Sequence, residues 1–301
     1  MTAKTLIIVA GPTAIGKTDL AIQLARYFNT EIISADSRQI YREMVIGTAA
    51  PSPEQLAKVK HHFIGHKSIH EYYNASLFEL DAMGLLDKLF IKHDVIVMVG
   101  GSGLYIDAVC KGIDDIPTVD PEIRIRLHNE YLTVGLEGIR SRLRDADPGY
   151  FEKADLNNPK RLLKAIEISE MTGRPYSSFL TGRAKKRNFS MVKIGLDIPR
   201  QELHDRINTR VDNMMVQGLL REAEGLIQFR QLNALNTVGY KELFDFIDGK
   251  YLLEQAVERI KGHTRQYARR QLTWFRKNKD IQWFLPNEAD GIIRFIHSKI
   301  D

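Results

Sequence analysis

One octapeptide near the N-terminus limits the possible folds of this chain more than any other stretch. Residues 11–18 read Gly-Pro-Thr-Ala-Ile-Gly-Lys-Thr and fit the phosphate-binding pattern G-x-x-x-x-G-K-[ST]. A short apolar run, residues 5–10, precedes the loop, and apolar residues at helical spacing follow it from Leu20 to Phe28. Strand, glycine loop and helix in this order predict the first strand–helix unit of an α/β sheet.

The loop indicates a ligand with a phosphoanhydride bond, held together with Mg²⁺. Glycine permits a tight turn whose backbone N–H groups point at phosphate oxygens, and the helix N-terminus adds partial positive charge. Lys17 can reach a terminal phosphate, and the Thr18 hydroxyl can bind Mg²⁺. The motif identifies neither the ligand nor the bond that breaks. The predicted diphosphate or nucleotide site is Gly11, Pro12, Thr13, Ala14, Ile15, Gly16, Lys17 and Thr18.

Length and composition are those of an ordinary globular protein with a sizeable core. The 301 residues allow one large domain or two moderate ones. No apolar run approaches the ~20 residues that a membrane span needs, and the first strand begins too early to leave room for a signal peptide. The single cysteine, Cys110, cannot form an internal disulfide, and we expect it to be packed in the core. We therefore expect a cytoplasmic protein that is not bound to a membrane.

Two further strands are predicted to end beside the phosphate loop. Residues 31–33 form a short apolar run, and Asp36 follows it at the edge of the sheet where α/β proteins bind ligands. The clearest buried strand, 94–99, ends in Gly100-Gly101-Ser102, where ATPases with this loop usually carry a second Mg²⁺ carboxylate. The glycines either let another group approach the backbone closely or merely serve a strand-to-helix turn. Both interpretations stay open, and Ser102 offers a hydroxyl at the same edge.

The pattern changes at about residue 114. No further β-rich run appears before 191–198, and the chain after that run is predicted to be all helical. We expect an α/β fold with a P-loop NTPase-like parallel sheet core, residues 1–113 and 188–301, whose C-terminal part is helical. Residues 114–187 are predicted to be an inserted all-helical subdomain. Its predicted helices are 120–131, 135–144 and 158–172.

Basic charge is concentrated on the last long helix, predicted at 252–279. Between Glu254 and Lys279 it has eight Lys or Arg against two Glu, in a chain whose net charge is only +5. Lys261, Arg265 and Arg269 recur every four residues and form one stripe, which suits a phosphate backbone. The alternative is a solvated helix face, since most charged helices bind nothing.

Three features together limit the reactions that this site could catalyse. They are the phosphate loop, Asp36, and the lack of a carboxylate at the end of the strand 94–99. A motor-type ATPase is disfavoured, whereas a small-molecule kinase stays possible. A third chemistry breaks a carbon–oxygen bond, so that an organic group is transferred and a diphosphate leaves. Lys17, the loop amides and Mg²⁺ on Thr18 would stabilise charge on the leaving diphosphate, and Asp36 would accept the nucleophile's proton.

Seven stretches, which together span almost the whole chain, resemble the bacterial tRNA dimethylallyltransferases, also called tRNA isopentenyltransferases. They occur in that family's order. They are GPTAIGKT (11–18), ISADSRQIYREMVIGTA (33–49), GGSGLY (100–105), NNPKRLLKAIE (157–167), LHDRINTRVDNMMVQGL (203–219), VGYKEL (238–243) and TRQYARRQLTWFRK (264–277).

The resemblance implies transfer of a dimethylallyl group from dimethylallyl diphosphate to the N6 amine of adenosine 37, just 3′ of the anticodon of tRNA. It implies that Asp36 is the general base, that Ser102 lies near the reaction centre, and that Lys17 and Arg210 contact the diphosphate. It also implies a set of contacts to the anticodon stem-loop, to which we add Arg265 and Arg269 from the basic stripe. The set is Asp36, Ser37, Arg38, Gln39, Ser102, Arg124, Lys160, Arg161, Leu162, Leu163, Lys164, Asn236, Thr237, Val238, Gly239, Tyr240 and Lys241.

Three alternatives can be distinguished by what they leave unexplained. An ATP-dependent small-molecule kinase accounts for the loop but not for the basic helix. An adenylate isopentenyltransferase, with the same chemistry on a free nucleotide, needs neither the helical insertion nor that helix. A non-catalytic RNA-binding module does not require Asp36. We expect a monomer whose only cofactor is Mg²⁺ and whose partners are tRNA and the allylic diphosphate.

Overall fold

The computed structural model describes residues 4–300 and divides them into two compact units. One unit comprises residues up to Lys111 together with those from Lys186 onward, and the other is Gly112–Lys185. Each border lies two residues before the expected one, Gly112 against 114 and Lys185 against 187. The second unit is thus a continuous segment between two parts of the first.

The first unit contains a six-stranded parallel sheet with the order β3-β2-β4-β1-β5-β6, which confirms the predicted α/β class. The central strand β1 is fully buried, as expected for an apolar run between two neighbouring strands. The strands are β1 (Thr5–Ala10), β2 (Ile32–Ser34), β3 (His61–His62), β4 (Val95–Gly100), β5 (Ser190–Leu196) and β6 (Gln282–Phe284).

Helices pack against this sheet through one apolar face. Leu20, Ala21 and Leu24 of the first helix are buried, which confirms the helical spacing found in the sequence. The helices of this unit are α1 (Lys17–Tyr27), α2 (Pro53–Lys58), α3 (Ala75–Lys92), α4 (Gly103–Lys111), α8 (Arg200–Gln217), α9 (Leu219–Leu226), α10 (Tyr240–Ile247), α11 (Leu253–Phe275) and α12 (Ala289–Ile300). Short 3-10 turns are Ile227–Phe229 and Asn233–Leu235.

The C-terminal part is not all helical, so that expectation was wrong. Strand β6 pairs with β5 and adds the last strand to the sheet. It has only three residues, one of which, Gln282, is exposed. A strand this short shows no periodicity that could distinguish it from a loop. The preceding helix α11 is also shorter than expected, because it ends at Phe275 rather than near 279.

The second unit is helical and has its own apolar core. Gly135 has φ 66° and interrupts α5 with a kink, which explains why the sequence pattern indicated two helices there. The helices are α5 (Pro121–Ala146), α6 (Pro148–Phe151) and α7 (Pro159–Thr172), followed by a 3-10 turn, Tyr176–Phe179. The fully or almost fully buried core residues are Leu127, Ile139, Leu143, Leu162, Ala165 and Ile166.

Within residues 4–300, no helix combines the length and the apolar character that crossing a bilayer requires. Cys110 is buried in α4, and its burial raises the pKa of the thiol to about 11. A thiol that stays protonated at neutral pH is a packing residue rather than a nucleophile, as the sequence suggested.

Candidate active site

A groove of about 600 Å³ lies at the carboxyl ends of the strands. The strand register explains its position, because Ala10 at the end of β1 pairs with Gly100 at the end of β4, and Ser34 of β2 pairs with Val99. The segments that follow these strands therefore meet at one edge. The lining comes from residues 13–19, 34–39, 45–55, 99–101, 210–219, 237–239 and the inner face of α11.

The phosphate loop has the backbone geometry that its glycines predict. Gly11 and Gly16 have φ values of 153° and 97°, and alanine at position 14 also has a positive φ, 65°. A Cβ on Gly11 would lie 3.0 Å from the carbonyl oxygen of Leu196. The Lys17 ammonium donates to the Pro12 carbonyl at 2.6 Å, so the side chain folds back over the loop where a phosphate would lie.

Positive charge is concentrated at this end of the groove. Burial, together with the nearby Arg210 charge, lowers the pKa of Lys17 to about 7, although Asp36 acts in the opposite direction. Burial also lowers the pKa of Arg210, whose guanidinium donates to the Thr13 hydroxyl at 3.4 Å. An anion bound between these two cations would relieve both their mutual repulsion and their desolvation.

Asp36 and Ser102 meet at the ends of β2 and β4. The Asp36 Oδ1 atom accepts hydrogen bonds from the N–H groups of Arg38 at 2.8 Å and Gln39 at 3.2 Å. The Ser102 hydroxyl accepts from the N–H of Ser37 at 2.9 Å and donates to its hydroxyl at 3.2 Å. A half-buried carboxylate is thus held rigidly in the same groove as the phosphate loop.

The two glycines at the end of β4, Gly100 and Gly101, are required by the packing of the chain itself. A Cβ on Gly100 would lie 2.2 Å from the carbonyl oxygen of Ala35, and a Cβ on Gly101 would lie 2.2 Å from the Gln271 amide nitrogen. Neither distance is possible for a real side chain. The open question from the sequence is answered, because the groups that approach this backbone are Ala35 and Gln271.

Sequence analysis missed two side chains on α11 that line the groove. Gln271 is only 6% exposed, accepts from the Thr13 N–H at 2.9 Å and donates to the Gly101 carbonyl at 2.8 Å, so it ties the phosphate loop to the glycine turn. Tyr267 bonds to Ser102, and burial together with the Asp36 charge raises its pKa to about 12. The sequence feature that could have identified these two residues is the helical spacing of positions 260, 264, 267 and 271. This spacing places them on one face of α11.

The basic stripe lies on a different row of α11 and is partly neutralised. Lys261 forms ion pairs with Asp212 at 2.9 Å and Glu258 at 3.0 Å. Arg265 donates to the Asn208 side chain at 2.6 Å, whereas Arg269 is exposed. Most of the charge that suggested a phosphate-backbone surface is therefore engaged by neighbouring side chains.

Two residues expected to contact tRNA are core residues. Leu162 is fully buried in the core of the helical unit, and Tyr240 is fully buried at the start of α10. Their side chains are not available to a surface ligand, because apolar neighbours surround the first and because the hydroxyl of the second is bonded to Glu222. The tRNA contact expected at these two positions stays a prediction, and neither residue has an exposed side chain with which to make it.

The other expected contacts differ in exposure. Within the helical unit, Arg124 is paired with Glu167 at 3.4 Å, and Leu163 and Lys164 are half-buried. Lys160 and Arg161 are exposed at the start of α7. In the α/β unit, Thr237, Val238 and Gly239 line the groove, while Asn236 and Lys241 are exposed.

Among residues 4–300, no three His, Cys, Asp or Glu side chains are grouped to hold a metal ion. His61 and His62 bond in different directions, to the Val59 carbonyl and to Glu31. Mg²⁺ nevertheless fits a site of this type, because it binds commonly through one or two protein oxygens together with phosphate oxygens and waters. The Thr18 hydroxyl, at the start of α1 in the groove, is the protein oxygen in question.

Comparisons with known proteins agree over the length of the chain. The family model for IPP transferase matches residues 39–278. A tRNA dimethylallyltransferase of Bacteroides fragilis is 50% identical over 300 residues and covers 100% of both chains. A crystal structure of a tRNA isopentenylpyrophosphate transferase from Bacillus halodurans is 35% identical, covers 99% of this chain and 97% of that one, and has a TM-score of 0.71. A eukaryotic dimethylallyltransferase acting on tRNA has a TM-score of 0.79 at 26% identity, covering 96% of this chain and 75% of that chain.

Proposed function

This chain belongs to the tRNA dimethylallyltransferase (IPP transferase) family, and we propose that it transfers a dimethylallyl group from dimethylallyl diphosphate to the N6 amine of adenosine 37 of tRNA. The observation that carries the proposal is the content of one groove. The half-buried Lys17 and Arg210 at the phosphate loop suit a diphosphate, and Asp36 offers a proton acceptor in the same groove. A kinase that uses ATP could use both features, but it would leave unexplained the 50% identity to a tRNA dimethylallyltransferase over 300 residues.

The donor binds through its diphosphate in this mechanism. The loop N–H groups, Lys17 and Arg210 hold the diphosphate oxygens and stabilise the negative charge that grows as the carbon–oxygen bond breaks. The bond between the allylic carbon and oxygen breaks with its electron pair going to the diphosphate. When bound at Thr18, Mg²⁺ would supply additional charge stabilisation to this leaving group.

The acceptor is a weak nucleophile, so positioning matters more than activation. The adenine amine is delocalised into its ring, and the base must leave its stack to enter a groove. The N6 nitrogen forms the new bond to the allylic carbon, and its proton passes to the Asp36 carboxylate. The bonds from the Arg38 and Gln39 N–H groups fix that carboxylate and keep its orientation.

The protein's surface contacts with the anticodon stem-loop are part of the proposal. The candidates that are exposed or line the groove are Arg38, Gln39, Lys160, Arg161, Asn236 to Gly239, Lys241 and Arg269. The half-buried Ser37 and Lys164 are further candidates. Arg124 and Arg265, already bonded to neighbours, are candidates for positioning rather than direct contact. We propose further that the protein works as a cytoplasmic monomer.

One assay tests donor, acceptor and reaction together. The purified protein is incubated with Mg²⁺ and unmodified tRNA, with either dimethylallyl diphosphate or ATP, and the digested nucleosides are weighed. We expect an adenosine heavier by one C₅H₈ unit, and only with the allylic donor. Prenylated AMP in a parallel reaction supplied with free AMP, without prenylated tRNA, would favour an adenylate isopentenyltransferase, and consumption of ATP alone would favour a kinase.

A further inference from the structure

The Glu222 carboxylate on α9 binds a loop that forms one wall of the groove. Its Oε2 atom accepts from the N–H groups of Val45 at 3.0 Å and Ile46 at 2.8 Å. Its Oε1 atom accepts from the N–H of Gly47 at 2.9 Å and from the Tyr240 hydroxyl at 2.6 Å. One carboxylate thus collects four hydrogen bonds, three of them from consecutive backbone amides, and charge-assisted bonds of this kind are stronger than neutral ones.

The Tyr240 side chain packs against the same loop at Gly47 and bonds to Glu222. Its ring is fully buried, and a Cβ on Gly47 would lie 2.6 Å from it. Burial and the neighbouring Glu222 charge raise the pKa of Tyr240, so the hydroxyl remains a donor. The loop is therefore fixed by a negatively charged acceptor and by a close steric contact.

The loop of residues 45–49 is hydrogen-bonded to the segment that carries Asp36. The Gln39 side-chain amide donates to the carbonyls of Thr48 at 3.2 Å and Ala49 at 3.0 Å. The backbone N–H of Gln39 donates to the Asp36 carboxylate at 3.2 Å. A continuous set of bonds thus runs from Glu222 through residues 45–49 to Gln39 and Asp36.

We infer that Glu222 is a positioning residue for the acceptor side of the groove. It holds the wall formed by residues 45–49 in place, and through Gln39 it fixes the direction in which Asp36 points. This inference rests on the proposed function, because it assigns the Asp36 side of the groove to the adenine base. The donor side is built by the phosphate loop and Arg210, whereas Glu222 bonds to residues 45–47 and Tyr240. The kinetics of the two substrates should therefore respond differently to a change of Glu222.

The test compares Glu222→Gln with Glu224→Gln, an exposed glutamate two residues further along the same helix. Glutamine keeps one acceptor oxygen but turns an N–H₂ group toward backbone donors, so at least one amide loses its partner. We expect kcat/KM for tRNA to fall by about tenfold or more, with KM for dimethylallyl diphosphate unchanged. Backbone amides 45–47 should exchange hydrogen faster, and the Glu224 variant should match the wild type in both measurements.

Gly47→Ala provides an independent perturbation that leaves the carboxylate intact. Gly47 does not have a positive φ, so alanine introduces only the conflict with the Tyr240 ring. We expect the same loss of kcat/KM for tRNA with an unchanged KM for the donor. A shared pattern in both variants supports positioning through the loop.

The outcomes separate this inference from the proposed function. If the wild type prenylates tRNA but both variants keep its tRNA kinetics, the inference is overturned and the proposed function stands. If activity toward both substrates fell equally and in proportion to the fraction of folded protein, Glu222 would only stabilise the fold. That result would also overturn the inference. A wild type that does not modify tRNA would overturn the proposed function, and the inference with it.

Discussion

The groove of the α/β unit and the surface of the helical unit both contain basic side chains, but these side chains have different partners. In the groove, Lys17 and Arg210 are half-buried and bond to neutral oxygens, the Pro12 carbonyl and the Thr13 hydroxyl. In the helical unit four arginines bond to carboxylates. The pairs are Arg124 with Glu167, Arg126 with Glu170, Arg140 with Glu137, and Arg142 with Glu130 and Glu170.

This difference shows that the pairing of charges indicates function better than their number. An ion pair between arginine and a carboxylate stabilises the packing of helices only modestly, by up to about 1 kcal/mol. A half-buried cation without a carboxylate partner is poorly solvated until an anion binds beside it. The lowered pKa of Lys17 reflects this unfavourable environment. The comparison therefore predicts that groove variants change activity at constant stability, whereas variants of the paired arginines change stability at constant activity.

The largest expected effect is on Asp36. Asp36→Asn keeps an oxygen for the Arg38 and Gln39 amides but cannot accept a proton, so kcat should fall by ~10²–10⁴. Affinity for tRNA and the melting temperature should stay near the wild-type values. Steady-state kinetics beside a melting curve decide this, with exposed Asp87→Asn on α3 as the matched control. Near-normal turnover would remove Asp36 from the mechanism.

Arg210→Ala is expected to have the next largest effect. Losing one charged contact to the diphosphate should weaken binding of dimethylallyl diphosphate by about 10- to 100-fold, equivalent to ~1.5–3 kcal/mol. Because the Arg210 charge lowers the pKa of Lys17, the variant should also have a higher Lys17 pKa. Calorimetric titration of the donor measures the first change. An unaltered donor affinity would mean that Arg210 faces another ligand.

The pH dependence of donor binding tests Lys17 directly. Its pKa is about 7 in the free protein, against 10.5 ordinarily, and a bound diphosphate would raise it. Below pH 7 the ammonium is already charged. Above pH 7 binding must take up a proton, so affinity should fall by up to about tenfold per pH unit.

Calorimetry at pH 8 in two buffers with different ionisation enthalpies measures the number of protons that the protein takes up when the donor binds. We expect an uptake approaching one proton per site at pH 8 and almost none from Lys17 at pH 6. Lys17→Arg serves as the control, since arginine stays charged over this range. Equal heats in both buffers at pH 8 would contradict a depressed Lys17 pKa.

The smallest effect is expected for the paired Arg124. Arg124→Ala leaves Glu167, whose side chain is 7% exposed, with one fewer partner and should lower the stability of the helical unit by about 1 kcal/mol. The tRNA affinity should change little. Exposed Arg269→Ala should do the reverse, lowering tRNA affinity and its salt dependence without altering the unfolding midpoint. If Arg124 rather than Arg269 controlled the salt slope, pairing would not be the distinguishing property.

Much of the fold followed from local sequence. The strand–loop–helix unit at residues 5–27, the buried run of β4 and the kinked pair of helices in α5 depend on residues close together in the chain. Strand β6 did not follow, because three residues at the edge of a sheet acquire strand geometry only by pairing with β5. Asp36, which lines the groove, and Ser102, which bonds to the adjacent Ser37, were found because parallel strands end at a common edge.

By itself the sequence determined the phosphate loop, the parallel α/β class, the helical segment within it and the candidate residues Lys17 and Asp36. Only the tertiary structure decided which charges are paired, that Gln271 joins Thr13 to Gly101, and that Glu222 holds residues 45–47. The physical reason is distance along the chain. A motif is formed by neighbours, whereas a hydrogen bond between residues 13 and 271 exists only after the strands and α11 have packed together.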